Sequence, residues 1–188
     1  MLVKVTGMDP SLTHWGLASV MLNLSTGIPT IPTLKLVEPK ELEGKNIRVN
    51  SNDLHRAEQL ATAVFEETKD SKVIFVEVPV GSQSARAMAS YGVCIGILAS
   101  LRSQGKQIIQ VTATESKLAL TGNRNATKQQ MIDYAWENYP TANWDLDSKT
   151  GKPLKKSEHV ADAIAAIHAG VHTPSFKQLM QLLEGLPK

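Results

Sequence analysis

The sequence predicts a mixed α/β layered domain, and three features carry the prediction. Three strand-like runs come first, divided by Pro and Gly turn signals. Two further apolar runs then alternate with stretches of helical period, and the C-terminal part is helical almost throughout. That order describes three antiparallel strands followed by two parallel strands in one sheet, with helices on both faces. At 188 residues the chain can build one domain with a substantial core, and neither an internal repeat nor a composition shift divides residues 1–188.

The first run, residues 2–8, delivers Asp9 to its end, and Pro10-Ser11 turns the chain into a second run at 14–22. A third short strand at 31–37 follows, with Pro29 and Pro32 placing its start at a sheet edge. Residues 38–52 are polar and charged, and a loop is expected there. Asp53 has the position of a helix N-cap, because Leu54, Ala57, Leu60, Ala61, Val64 and Phe65 follow at helical spacing. Glu66, Glu67 and Asp70 would close that helix on its solvent side, without a chemical role. The run 72–78 is the most apolar strand and should lie inside the sheet, with Glu77 almost at its end. The helical stretch 84–103 is rich in Ala, Gly and Ser, so it can approach another element closely: its own sheet, or a second copy of the chain. A strand at 107–111 and helices at 114–120 and 127–138 come next. A polar loop at 139–157 contains Trp144, and a helix at 158–171 follows it. Thr173 and Pro174 start a last amphipathic helix, about 174–185, with Phe176, Leu179, Met180 and Leu183 on one face.

Hydrophobic residues make up 42% and charged residues 20%, ordinary values for a soluble globular protein. No apolar run approaches the roughly 18 residues of a membrane span, and the N-terminus lacks a basic segment followed by an apolar one. A cytoplasmic protein is expected. The lone Cys94 cannot form an internal disulfide and lies in an apolar helical stretch, which suits a buried thiol. Net charge is only +2, but it is unevenly placed: residues 102–156 hold nine Lys/Arg against five Asp/Glu. The basic excess therefore falls in one stretch, either a solvated lysine-rich surface or a contact for an acidic partner.

Asp9 and Glu77 end two different strands, where a carboxylate can reach solvent, a metal or a phosphate. If those strands are neighbours, the two acids form an oxygen-rich site suited to Mg²⁺ or Mn²⁺. His159 and Asp162, three apart, share one face of a helix. The small Ala163 and Ala166 beside them should leave room for a metal or phosphate, while Ile164, Ile167 and Val171 offer an apolar packing face. A lone Asp-Pro is more often a turn former, and a lone His-x-x-Asp more often a solvated helix face. Two strand-end acids together with that pair point instead to a metal site.

These residues fall into four blocks whose order resembles the RuvC family of Holliday junction resolvases, across roughly residues 3–170. Gly7-Met8-Asp9-Pro10, with Gly16 downstream, is similar to the family's Gly-Ile-Asp-Pro-Gly strand turn. Val76-Glu77 followed by Ser84-Ala85 and Gly92 resembles the glutamate strand and the helix after it. Lys117-Leu118-Ala119-Leu120-Thr121-Gly122, continuing through Ala126 to Lys128, keeps the family spacing of two lysines about a Gly and an Ala. His159-Val160-Ala161-Asp162-Ala163 resembles the closing motif, whose first acid is His in some members. The chain departs from the pattern at Ser11 and Arg124, which stand where the family usually has Gly. It is also about three residues shorter between Glu77 and Ser84. The aromatic that members wedge into the junction has no clear counterpart, Val80 being the nearest apolar candidate.

The resemblance implies a ribonuclease-H-like fold and a structure-specific endodeoxyribonuclease that resolves four-way junctions, or related branched DNA, by metal-dependent phosphodiester hydrolysis. Such hydrolysis uses two divalent ions about 3.5 to 4 Å apart, one to generate hydroxide and one to hold the leaving oxygen. Asp9 would bridge two Mg²⁺ ions, with Mn²⁺ able to substitute; Glu77 and Asp162 would hold one each, and His159 would ligate or orient at the second. Lys117 and Lys128 would meet phosphates, Lys117 closer to the reaction, and Arg124 would join them as a DNA contact. A homodimer would match the two-fold symmetry of a four-way junction. Two other readings compete. One is a non-catalytic branched-DNA-binding protein, which the retained acids oppose because carboxylates gathered without a metal repel one another. The other is an actin-like-fold phosphotransferase, which would need a second Asp-turn hairpin that the chain lacks.

Overall fold

The computed structural model describes residues 2–24 and 26–184, without the side chains of residues 183 and 184. Strands β1 (Leu2–Asp9), β2 (Trp15–Asn23), β3 (Thr33–Val37), β4 (Val73–Glu77) and β5 (Gln107–Val111) form one sheet in the order β3-β2-β1-β4-β5. The first three pair antiparallel, while β4 runs parallel to both β1 and β5. The expected mixed sheet is therefore present, with β1 at its centre and β4 inside it.

Helices cover both faces. On one side α1 (Val49–Thr68) and α2 (Ala85–Ser103) bury Leu60, Val64, Cys94, Ile97, Leu98 and Leu101 against Met8, Leu17, Ile74 and Val76. On the other, α3 (Ala113–Thr121), α4 (Lys128–Asn138), α5 (Glu158–Gly170) and α6 (Pro174–Glu184) close over Val5, Ala18, Val73, Phe75 and Ile109. The pivot of this layer is α5. Nine of its thirteen residues are buried, as expected of a helix that is apolar nearly all round. It lies tight on the sheet because the sheet carries glycine beneath it: a Cβ on Gly7 would overlap the Ala163 carbonyl oxygen and come within 2.7 Å of Ile167 Cγ1. Among the described residues no helix is long and apolar enough to cross a membrane.

Several local expectations need correction. The first helix begins at Val49, so part of the expected 38–52 loop is helical and Asp53 is not its N-cap; Arg48 is, without a side-chain cap. Asp53 instead forms a two-pronged ion pair with Arg86 that ties α1 to α2, and the Arg86 hydrogen bond holds its carboxyl below the usual range. Glu67 is not an idle solvent residue. It accepts a hydrogen bond from Ser19 Oγ at 2.8 Å and lies within ion-pair range of Lys4 and Lys35, so it ties the end of α1 to the sheet. The third strand starts at Thr33 rather than 31, after an isolated bridge between Leu22 and Pro29. The 139–157 loop is polar in composition but closely packed: Trp144 is buried and donates Nε1–H to the Tyr139 carbonyl. Its neighbour Asn143 bonds both backbone groups of Leu34, at 2.7 and 2.8 Å, and so covers part of the edge strand β3. On α6, Phe176 is buried and Leu179 and Met180 pack beside it; the Leu183 side chain lies outside the described residues.

Candidate active site

In the parallel pair β1–β4, Met8 is in register with Val76. Asp9 and Glu77, one residue on, therefore end adjacent strands side by side. Side chains alternate along a strand. Since Val5, Val73 and Phe75 face the α5 layer, Asp9 and Glu77, of the same parity, turn to that layer as well. Glycine again sets the approach on the neighbouring strand: a Cβ on Gly16, the register partner of Asp9, would overlap the His159 carbonyl oxygen. The first turn of α5 can therefore sit directly over the end of the sheet.

The result is a cluster at one end of the sheet. His159 Nδ1–H donates to Asp9 Oδ2 at 2.6 Å, with both side chains only 20% exposed. Burial disfavours charge on His159, but the hydrogen bond to Asp9, together with the charges of Asp9, Glu158 and Asp162, outweighs it and raises the imidazole pKa. Asp162 is pushed up to about 7, first by burial and then by the charges of Asp9, Glu77 and Glu158. Glu77 is raised for the same reasons, burial and then Asp9, while Ser116 and Lys117 act against the rise. The Ser116 hydroxyl makes no hydrogen bond of normal geometry among the described residues, so burial and Asp9 control Glu77. All four residues singled out in the sequence thus feel one another electrostatically.

The basic residues are set by helix caps. Thr112 and Glu115 form a capping box that starts α3 and brings Lys117 within electrostatic range of Glu77. Gly122, at φ 71°, closes α3 in the left-handed conformation, which needs no Cβ. Ala126 packs into the core, and Thr127 with Gln130 forms a second capping box that puts Lys128 at the first position of α4. The Gly and Ala between the two lysines are thus a turn and a packing contact. Lys128 Nζ donates to Glu158 Oε1 at 2.8 Å, and this bond raises the lysine pKa. Arg124 is exposed on the turn between α3 and α4.

Other expectations fare differently. Ala163 and Ala166 leave no open space; both are fully buried, and their small size serves the tight seat of α5 on β1. Cys94 is buried and its thiol is raised to about 12, by burial and then by Asp9, so it is inert. Val80 stands 79% exposed in the loop after β4. Sequence reasoning gave no role to His14, Glu38 and Glu158. The His14 ring stacks on that of His159, His14 Nε2 lies 3.6 Å from Glu38 Oε1, and Glu158 Oε1 is 3.7 Å from His159 Nε2. Glu158 could have been suspected from its place beside the closing motif; nothing in a single sequence links His14 to His159, 145 positions apart.

As they stand, the acids form no ready cage: among the described residues no three His, Cys, Asp or Glu side chains are arranged to hold a metal ion, and Asp9 Oδ2 is engaged by His159. The donor chemistry nevertheless fits a hard divalent cation. Three carboxylates share a partly buried space, and burial together with the Asp9 charge raises both Glu77 and Asp162, an excess of negative charge that a cation bound by oxygen would relieve.

No protein-family model and no curated protein sequence matches the chain. Solved structures do. RuvC of Thermus thermophilus in complex with a Holliday junction substrate superposes with a TM-score of 0.62 at 18% identity, covering 95% of this chain and 96% of that one. The fold is that of RuvC. A second structure of Thermus thermophilus RuvC gives 0.56 at 17% identity, covering 95% and 97%. The Fowlpox virus resolvase, in a complex with its substrate Holliday junction DNA, gives 0.54 at 12% identity over 97% and 99%. On this RuvC-like, ribonuclease-H-like sheet, Asp9 and Glu77 end the adjacent inner strands β1 and β4, and α5 brings His159 and Asp162 to them.

Proposed function

We propose that the chain is a divalent-metal-dependent endodeoxyribonuclease that resolves four-way DNA junctions or related branched DNA in the cytoplasm. The observation that carries this reading is the convergence of Asp9, Glu77, Asp162 and His159 at one end of a RuvC-like sheet. Carboxylates that raise one another's pKa destabilise a fold that gains nothing from them. Their retention favours catalysis over a purely DNA-binding role.

Asp9 would be shared between two Mg²⁺ ions, Glu77 and Asp162 would each hold one, and His159 would complete the second; Mn²⁺ has the same preference for oxygen and nitrogen donors. Ions held there would supply an acidified water and neutralise charge on the phosphoryl oxygens. The chain's own residues do the rest. His159 holds Asp9 in one orientation through Nδ1. Lys117, within electrostatic range of Glu77, would supply a positive charge where negative charge grows in the transition state. Lys128, on the exposed side of the same cluster, and Arg124, exposed on the turn between α3 and α4, suit the neighbouring phosphates. The Lys128 side chain is 78% exposed, so its pair with Glu158 is worth less than about 1 kcal/mol and a phosphate can replace it.

A homodimer follows from the same reading, because two strands of a junction must be cut at symmetric positions. Helix α2 directs Cys94, Ile97, Leu98 and Leu101 inward, while Met88 and Ile95 are exposed. A Cβ added to Gly92 or Gly96 would meet no atom within 4 Å. That outer face, small and partly apolar, suits the contact. Sedimentation at the mass of a single chain, both free and on DNA, would exclude the dimer. The nuclease reading is tested by incubating the protein with branched DNA and with a linear duplex of matched sequence, then resolving strands on a denaturing gel. Nicking of the branched substrate that excess EDTA abolishes supports it; cleavage undiminished by EDTA overturns it.

A further inference from the structure

Resting on the reading of the Asp9 cluster as a metal-dependent nuclease site, we propose that His14 is a positioning residue, whose ring holds the His159 imidazole in the orientation in which Nδ1 meets Asp9. The two rings are parallel to within 6°, with centroids 5.2 Å apart, an offset stack of the kind aromatic rings favour. The torsion that turns a histidine ring is broad and nearly two-fold. The hydrogen bond to Asp9 fixes one ring nitrogen of His159, and a flat neighbour against the ring face restricts rotation about that bond.

His14 is itself held. Its Nδ1 lies 3.1 Å from Thr13 Oγ1, and its Nε2 lies 3.6 Å from Glu38 Oε1. Glu38 Oε2 in turn accepts from Lys156 Nζ at 3.0 Å, and Lys156 also reaches Asp145 Oδ2 at 3.0 Å. Lys156 belongs to the 3₁₀ turn, Lys155–Ser157, that leads into α5. The frame that carries His14 is therefore anchored to the entry of the helix that carries His159. Gly16 makes this possible: any side chain there would meet the His159 backbone and push the start of β2 away from α5.

The test uses the full chain, labelled with ¹⁵N, in EDTA-containing buffer. Long-range proton–nitrogen spectra of the histidine side chains report the tautomer of His159 and the exchange protection of its Nδ1 proton; Mn²⁺ affinity is measured separately by electron paramagnetic resonance. His14→Ala is expected to lose the protected Nδ1 signal and to weaken Mn²⁺ binding by roughly 10- to 100-fold, the range seen when a residue that orients a ligand from outside is removed. His14→Phe keeps a flat ring without hydrogen bonds to Thr13 or Glu38 and is expected to restore both. Where the alanine variant loses the native backbone spectrum, His14→Leu, bulky but not flat, takes its place. Unchanged His159 signals in the alanine variant, or a phenylalanine variant no better than leucine, would overturn the proposal. A wild-type protein that binds no Mn²⁺ while its His159 signals still depend on His14 would remove the nuclease reading and leave the positioning role standing.

Discussion

His159 Nδ1 and Asp9 Oδ2, 2.6 Å apart, join the end of the central strand to the first turn of α5 across 150 positions of sequence. The imidazole thereby fixes the orientation of Asp9 in the metal-free protein, and the same hydrogen bond helps to raise the imidazole pKa. That pairing ties stability, pH and metal together.

Asp162, Glu77 and His159 all have raised pKa values, so the sign is the same for each. The stability that comes from keeping Asp162 protonated is fully present below its ordinary 3.8 and is lost as pH rises through about 7; that from charged His159 is lost as pH rises through its raised value. Thermal melts in EDTA should show Tm falling between pH 5 and pH 8, by the equivalent of about 2 to 4 kcal/mol at most. Asp162→Asn should flatten the profile and raise Tm at the alkaline end. A wild-type profile already flat over this range would show that Asp162 ionises without cost.

Mg²⁺ should reverse that trend. Because it binds the carboxylates in their ionised form, saturating Mg²⁺ is expected to raise Tm more at pH 8 than at pH 6. Equal stabilisation at both pH values would place the ion away from these acids.

The two lysines should separate. Lys128→Ala is expected to weaken junction binding to a similar degree on all sequences and to lower the slope of log K against log salt by roughly 1. Lys117→Ala should leave affinity nearly unchanged while reducing the single-turnover rate at saturating protein by about 10²-fold or more. If both variants cleave at the wild-type rate with an unaltered salt slope, these lysines are solvated surface and nothing more.

Gly16→Ala should strike fold and site together, since its Cβ would overlap the His159 carbonyl. A loss of about 3 kcal/mol is expected, at the upper end for overpacking a well-fitted contact. A mild variant, with unchanged melting and an undisturbed His159 ring signal, would mean that β2 and α5 can part without cost.

The sheet and its two strand-end acids were legible in the sequence because each rests on local pattern: apolar runs, turn residues and a helical period interrupted by His159 and Asp162. What escaped rests on contacts between distant segments. Asp53 looked like a cap because Asp often caps, but Arg86, on another helix, claims its carboxylate. Glu67 looked like a solvent residue until β2 presented Ser19 to it. Ala163 was expected to leave room, whereas in a close-packed interior a small residue opposite a glycine brings backbones together. His14 had no local signal at all, since its partner becomes its neighbour only once β2 and α5 have met.

The central claim is that Asp9 serves catalysis and not DNA binding. It is tested most directly by measuring junction affinity and single-turnover cleavage side by side for the wild type and Asp9→Asn, on one labelled four-way junction, with Mg²⁺ and with EDTA. The account predicts that the wild type cuts only when Mg²⁺ is present, and that the variant binds the junction as tightly but does not cut it. An Asp9→Asn variant that cuts at the wild-type rate, or one that loses binding as completely as cutting, would contradict it.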